Sequence, residues 1–539
     1  MAGTVFLAIR WLAARPLWLD EEMIALSIRE RGLLQLPGAL WLGQSAPLGW
    51  LMVERVAIVA FGAGERSLRA LPVACGAAAI WAALWVGRRS MGAVGAAIFV
   101  FLCAFSVWAT YHALELKPYS ADLCFGLVVP ALAAWTLDAP DEARFRARTW
   151  RWWIAAGVAQ SLANGALLVT PACAAVLAAA AWRRRGWRGM AGQIGPAACW
   201  LALFALHYGL ATRFALGSRY LHDYWAFALP PPGSTIGARL AWLGAQFQPF
   251  AVKPGGSDAP LVFWVTAGLG LALALRRNGL GVFAAIPVCG FLFAGIGVVP
   301  LFERLSLWML PALYLGMALL GDASAGLLVR CVSRRRFALL VPALAGAALT
   351  VLTLAGVGRV LDREHLLLAP GGGNHALDDR AAMKWLMARH EPGDVLFTTH
   401  LAEPAVWWYG DVPIADPDRG RHQRDGSPIV EVDANAPVAT CDASGLQRAL
   451  AGHRRALVFL GFRFDDQPRA LDDLLLWRLA DFGEMTAYRG FGPWSRVAVF
   501  DLTQAPRPRR TDAIRPDARP DDPAIPRNIC LGVGPAERW

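Results

Sequence analysis

Through residues 1–358, long uncharged apolar runs alternate with short polar stretches, and beyond them the pattern changes. A helix needs roughly 17–25 apolar residues to cross about 30 Å of hydrocarbon. By that measure the pattern predicts crossings near 4–14, 66–87, 92–110, 118–137, 152–168, 169–183, 194–214, 259–275, 279–299, 305–320 and 337–358. The expectation is a polytopic α-helical membrane protein of about eleven spans. From 359 to 503 the segments are shorter and alternate in kind. "LDDRAAMKWLMARH", "EPAVWWYG" and "RALDDLLLWRLADFG" read as helices, while "DVLFTT", "RALVFLGF" and "SRVAVFDL" read as strands. That alternation predicts a small α/β layer domain, reached through the flexible "PGGGN" at 370–374. The Pro-, Arg- and Asp-rich segment 504–539 predicts a disordered tail. No internal repeat is visible.

Three stretches strain this pattern. The first span offers only about 15 residues before Asp20, roughly 22 Å of helix, which is short for a crossing. Either the chain starts further upstream or the helix tilts into a thinned bilayer. With no basic stretch before it and no small-residue cleavage site after it, it does not read as a cleaved signal. The segment 152–183 must go out and back, which predicts a tight hairpin around Asn164, Gly165 and Pro171. "APLGWLMVERVAIVAFG", at 46–62, is apolar enough to cross. Its centre carries Glu54 and Arg55, however, so it reads as an amphipathic helix lying on the outer interface.

Composition supports the membrane, and charge orients the chain in it. Of 539 residues, 56% are hydrophobic and 17% charged. A soluble domain has about half and about a quarter. Arg88 and Arg89 form one basic cluster, and Arg144, Arg146, Arg148 and Arg151 another. Arg183, Arg184, Arg185 and Arg188 follow, then Arg276 and Arg277, then Arg330, Arg334, Arg335 and Arg336. These clusters fall on alternate loops, and the positive-inside rule assigns them all to the cytoplasm. The N-terminus is then inside and the C-terminus outside. The net charge of +11 becomes a topology signal rather than a nucleic-acid footprint. Counting 46–62 as a crossing would invert every later cluster. The outer face thus gathers the stretch after the first span, "YHALELKPYSADL" (111–123), "RFALGSRYLHDYWAFALPPPG" (213–233), "PLFERLSLWMLP" (300–311) and the α/β domain.

Candidate chemistry on that face begins with "PLWLDEEMIAL" (16–26), which sets Asp20, Glu21 and Glu22 in a row. Asp20 is either a reactive carboxylate or the cap of a helix over "EEMIALSIRERG", with Glu21 and Glu22 favourable in its first turn. Glu115 and Lys117 are either a screened ion pair at a turn or part of a site. Tyr119 is an interfacial anchor or shares a helix face with Asp122, which lies about one turn inside the membrane. An acid there is costly and marks function by default. Arg304 either anchors a span or binds an anion, with Glu303 as its salt partner. Tyr220 and His222, with Arg219, Asp223 and Tyr224, either line an acceptor groove or belong to a solvated loop. His207, inside a span, reads as satisfying a backbone carbonyl. The nine cysteines show no CxxC pair and no zinc spacing. Cys441 and Cys530 lie where a disulfide is permitted, and their pairing stays open. No Walker loop and no GxGxxG appears.

In order along the chain, "LWLDE", "QSAPLGWLMVERVAIVAFG", "ERSLRALP", "ELKPYSADL", "ERLSLWMLPALY" and "DVLFTTHLAEPAVWWYG" resemble the GT-C glycosyltransferases. More narrowly they resemble the protein-mannosyltransferase and aminoarabinose-transferase-like bacterial branch. The likeness spans residues 1 to about 500 and is strongest over 15–125 and 300–315. It implies an inverting enzyme of the bacterial inner membrane, with site and C-terminal domain extracytoplasmic. Such an enzyme takes a sugar from a polyprenyl-phosphate donor and passes it to an envelope acceptor. The resemblance also implies that the acid matching Asp20 acts on the acceptor. The family pattern has an acid pair followed by a small residue, so Glu22 is a departure.

The chemistry asks for the same groups independently. A lipid phosphate leaves without a protein acid to protonate it. The acceptor hydroxyl needs a general base, and the phosphate needs cations or a divalent metal. Asp20 suits the first task, with Glu21 orienting the acceptor or helping to hold a metal. Lys117 and Arg304 suit the second. Glu115, Tyr119, Asp122, Tyr220 and His222 are then candidate substrate contacts. The rival readings are a transporter with a periplasmic domain and a non-catalytic subunit of an envelope complex. A transporter should show repeated halves and charges at the midplane, whereas the notable charges here crowd one face.

Overall fold

The computed structural model describes residues 1–277, 279–334, 337–363, 377–412, 429–433, 449–462, 476, 479–492, 494–503 and 530–531. The chain divides into two compact units. The first comprises residues 1–14, 32–39 and 45–369, and the second residues 15–31, 40–44 and 370–539. The three consecutive acids therefore belong with the C-terminal residues.

In the first unit, helices stand where the apolar runs predict them, though with different ends. By length and apolarity five can cross a membrane: Glu65–Ser90, Tyr119–Leu137, Asn164–Leu216, Glu303–Val332 and Leu340–Asp362. Ala93–Phe105 and Val107–Ala113 meet at a bend of 50° and make a sixth if counted as one span. Ala2–Leu12, Pro260–Leu275 and Gly281–Gly295 are apolar but shorter.

The expected hairpin over 152–183 is corrected. Helix Glu142–Leu162 starts well before residue 152, capped by Asp141, whose side chain accepts from the Arg144 N–H at 2.8 Å. Ala163 alone is extended, and the next helix begins at Asn164 with Pro171 inside it. The arginine-rich first turns of the earlier helix supply the length that the apolar pattern lacked. That helical stretch runs to His207 but breaks at Arg185 and Gly186, between the two runs that read as separate crossings. The loop expected over 213–233 contains a helix, Arg219–Trp225, capped by Ser218. Helix Leu48–Phe61 has Glu54 fully buried while Val53, Val56, Val59 and Phe61 are exposed. Glu54 is turned inward, while Arg55 beside it is half-buried.

Close approach in this unit depends on small residues. A Cβ on Gly126 would lie 2.4 Å from the Trp308 carbonyl oxygen, and one on Gly165 would lie 2.5 Å from the Trp308 Cβ. Two glycines thus let the 3₁₀ segment Glu303–Met309 press against helix Tyr119–Leu137 and the start of the helix that begins at Asn164.

The second unit is built on a six-stranded sheet: β1 (Val395–Thr399), β2 (Ile429–Asp433), β3 (Arg455–Leu460), β4 (Glu484–Phe491), β5 (Ser495–Asp501) and β6 (Cys530–Leu531). Its order is β4-β5-β3-β1-β2-β6. β1 runs parallel to β2 and β3, and the outer pairings are antiparallel. Phe397, Val458 and Phe500 pack on one face with Leu450 and Leu479, while Leu396, Phe459 and Val497 pack on the other with Met383 and Val406. A sheet covered on both faces explains the unbroken apolar runs of its central strands.

Helices Asp379–Met387 and Glu403–Gly410 match the sequence reading, as do β1, β3 and β5. The strands β2, β4 and β6 were not expected. β6 lies within the segment expected to be disordered, its backbone paired with Val432 and Asp433. Cys441 and most of the helix expected over 469–483 lie outside the described residues.

Candidate active site

The acidic stretch forms helix Leu19–Glu30, whose first residue is preceded by an extended Trp18. Asp20 is therefore the second helical residue and not the cap, which corrects the expectation. Glu21 closes the helix start instead. Its Oε2 accepts from the Trp18 N–H at 3.2 Å and from Arg15 Nη1 at 2.9 Å, the reach-back half of a capping box. Asp20 is half-buried, whereas Glu21 and Glu22 are buried. Glu22 does not simply load an exposed helix end. Burial pushes its carboxyl well above the usual range, with Asp379 and Glu21 adding to the rise. Asp379 Oδ1 accepts from Ser495 Oγ at 2.5 Å. Burial still pushes its carboxyl up to about 7, against the lowering effect of that hydrogen bond.

The rest of this unit clamps the acidic helix. The Leu17 N–H donates to Tyr409 Oη at 2.7 Å. Arg29 donates to the carbonyls of Trp408 and Trp407 at 3.1 and 3.2 Å, closing the C-terminal end of helix Glu403–Gly410. Trp18 packs on Phe462 with ring centroids 5.9 Å apart. Most of these partners lie nearly 400 residues away along the chain, and no local pattern announces them.

The remaining candidates lie in the first unit. Between helices Val107–Ala113 and Tyr119–Leu137, the Lys117 N–H donates to the Glu115 carbonyl at 2.8 Å. Glu115 and Lys117 are both buried, so a screened surface pair does not describe them. His112 Nδ1 lies 2.6 Å from Glu115 Oε2. Arg304, on the 3₁₀ segment, places its guanidinium carbon 5.8 Å from the Tyr119 ring centre and 5.5 Å from that of Trp225. Glu303 pairs with Lys253 at 3.4 Å and not with its neighbour, which corrects the expected Glu303–Arg304 pair. Asp122 accepts from the Gly165 N–H at 2.6 Å and thereby anchors the helix that starts at Asn164.

Within this unit the fold gathers Tyr119 and Arg304, with Glu115 and Lys117 on the turn that ends at Tyr119. Tyr220 stacks on Tyr224 at 6.0 Å, and His222 is exposed beside Asp223. Trp225, on the same short helix, lies beside Arg304. Sequence reading missed Trp225, His112 and Asp379. The only available hint for the first two was aromatic and ionisable residues adjoining the motifs already chosen. Among the described residues no group of three or more His, Cys, Asp or Glu side chains is arranged to hold a metal.

Helices long and apolar enough for a membrane and a C-terminal sheet unit make up a fold that the chain shares with solved structures. The chain is similar to ArnT from Cupriavidus metallidurans in the apo state. The TM-score is 0.52 at 16% identity, covering 94% of this chain and 98% of that one. The likeness to the same protein bound to undecaprenyl phosphate has a TM-score of 0.55 at 15% identity, covering 92% and 97%. The oligosaccharyltransferase from Archaeoglobus fulgidus, crystallised with Zn and sulfate, gives a TM-score of 0.46 at 11% identity over 92% and 72%. No family model and no curated protein matches the chain by sequence.

Proposed function

We propose that this protein is an inverting glycosyltransferase that moves a sugar from a polyprenyl-phosphate donor to an envelope acceptor at the outer face of the bacterial inner membrane. The observation that carries this reading is a pair of cations in a membrane unit. Lys117 is buried, and Arg304 lies over two aromatic rings. A buried lysine and a half-buried arginine suit a phosphate that must be held at a lipid interface. The fold shared with ArnT, a protein solved with undecaprenyl phosphate, supports the same class of donor.

In this reading Lys117 and Arg304 bind the donor phosphate, and the charge that grows on it as the glycosidic bond breaks is stabilised there. The Asp20 carboxylate accepts the proton of the acceptor hydroxyl. The hydroxyl oxygen forms a bond to the anomeric carbon from the side opposite the phosphate. The carbon–oxygen bond to phosphate breaks, and the polyprenyl phosphate departs with its electron pair, so configuration inverts. Glu21 fixes the start of the helix that bears Asp20. The acceptor is a lipid, glycan or protein of the envelope.

Mass spectrometry of envelope glycans and polyprenyl-linked sugars in a deletion strain tests the reading. A sugar missing from an envelope component while its lipid-linked form accumulates names donor and acceptor together. Unchanged glycans would sink it. For the proposed topology, reporter fusions after residues 88, 148, 185, 277 and 334 should read cytoplasmic, and those after 45, 116, 230 and 375 external. An external signal at 88 with a cytoplasmic one at 116 would show that 46–62 crosses.

A further inference from the structure

The turn after helix Ile236–Val252 carries Lys253 on a backbone held from several sides. The Lys253 N–H donates to the Pro249 carbonyl at 2.7 Å, and Trp108 Nε1 donates to the Val252 carbonyl at 3.3 Å. Two residues further on, Tyr314 Oη donates to the Gly255 carbonyl at 3.3 Å. Ser106 Oγ lies 2.6 Å from the same hydroxyl, and Ser106 and Tyr314 are both buried. From this fixed stem the Lys253 ammonium lies 5.0 Å from the Trp108 ring centre and 3.4 Å from Glu303 Oε1. A stem fixed beforehand lowers the entropy that an ion pair must offset. Glu303 is the first residue of the 3₁₀ segment Glu303–Met309, and Phe302 before it has no side chain able to cap the segment. Arg304 comes second. On one side of Arg304 the Leu301 N–H donates to the Ala228 carbonyl at 2.9 Å. On the other, Trp308 is pressed against Gly126 and Gly165. The pair with Lys253 ties the segment down between these two anchors, at the residue next to Arg304.

We propose that Lys253 is a positioning residue for donor binding. Through Glu303 it fixes the start of the 3₁₀ segment, and with it the place at which Arg304 meets the donor phosphate. This rests on the reading that Arg304 binds that phosphate. Lys253 itself touches neither sugar nor phosphate.

The test is the binding of undecaprenyl phosphate, without a sugar, to the purified full-length protein in detergent. The two side chains are partly exposed, 45% for Lys253 and 30% for Glu303, so the effect is modest. Lys253→Met and Glu303→Gln should each bind about fivefold more weakly. The double variant should also lose about fivefold, because the two residues act through one contact, whereas independent losses would multiply to about 25-fold. Lys253→Arg keeps the ion pair and should stay within about twofold of wild type. A lysine that met the phosphate itself would give a different pattern, with a loss in Lys253→Met and equal or tighter binding in Glu303→Gln. That pattern overturns the inference, as do unchanged binding in both single variants and losses that multiply. Where Lys253→Met folds poorly, Glu303→Gln decides alone: weaker binding at unchanged thermal stability supports the role, and undiminished binding overturns it. Arg304→Ala separates the two readings. Undiminished binding there removes the phosphate site itself, while weakened binding there beside normal Lys253→Met and Glu303→Gln removes only the role of Lys253.

Discussion

The helix start at Leu19 and the neighbourhood of Arg304 handle charge in opposite ways. At the helix start, Glu21 is engaged by directional partners, Arg15 and the Trp18 amide, and Glu22 is buried near Asp379. Around Arg304 stand two aromatic rings, Tyr119 and Trp225. Ring faces fix the plane of a guanidinium without engaging its in-plane donors. Charge tied by directional bonds does structural work, and its loss should be read in stability. Charge beside stacked rings should be read in binding or rate.

The largest expected effect would break this comparison if it failed. Asp20→Asn should leave a folded protein that binds donor but transfers sugar at least about 10²-fold more slowly. Because Glu21 and not Asp20 closes the helix start, the substitution spares the helix. Near-normal transfer by this variant would remove Asp20 from the chemistry. Next comes Arg304→Ala, which should cost on the order of 2–5 kcal/mol of donor binding or transition-state stabilisation. Arg304→Lys should recover little of it, because a point charge neither stacks nor forks. Wild-type donor affinity and turnover in a folded Arg304→Ala protein would take it out of the site.

A smaller effect sharpens the structural side. Asp379 ionises at about 7 in the folded unit and near 4 when unfolded. Its contribution to stability is therefore fully present below about pH 4, declines as pH rises towards 7 and stays lost above it. Thermal unfolding across that range should show the decline, on the order of 1–3 kcal/mol, and Asp379→Asn should flatten it. An unchanged slope in the variant would assign the decline to other groups. The smallest effect is expected of Glu21→Gln, which keeps an acceptor for the Trp18 amide and loses the ion pair with Arg15. Its cost should stay below about 1 kcal/mol. A tenfold loss of transfer at unchanged stability would instead mean that Glu21 touches acceptor or metal.

How far the sequence could be read follows from where each signal resides. Apolar length marked many of the helical runs, yet it missed Ile236–Val252 and the true start of Glu142–Leu162, whose first turns are arginine-rich. The central strands β1, β3 and β5 announce themselves because both faces of the sheet are covered. The edge strand β4 is largely exposed, and edges carry weak apolar patterns. Motifs located Asp20, Lys117 and Arg304 on the chain but not their neighbours. Trp225 reaches Arg304, and Asp379 influences Glu22, through tertiary packing that no spacing encodes.

The division of the chain into units has a consequence in time. Residues 15–31 belong with a unit that begins again only at 370, and the Leu17 amide waits for a hydroxyl 392 residues later. At roughly 5–20 residues per second a ribosome needs about 20–80 s to make that interval. The acidic helix is thus among the first segments synthesised and among the last to acquire its partners. A chain cut between Asp362 and Tyr409 would carry the apolar helices of the first unit and lack the hydroxyl that the Leu17 amide meets.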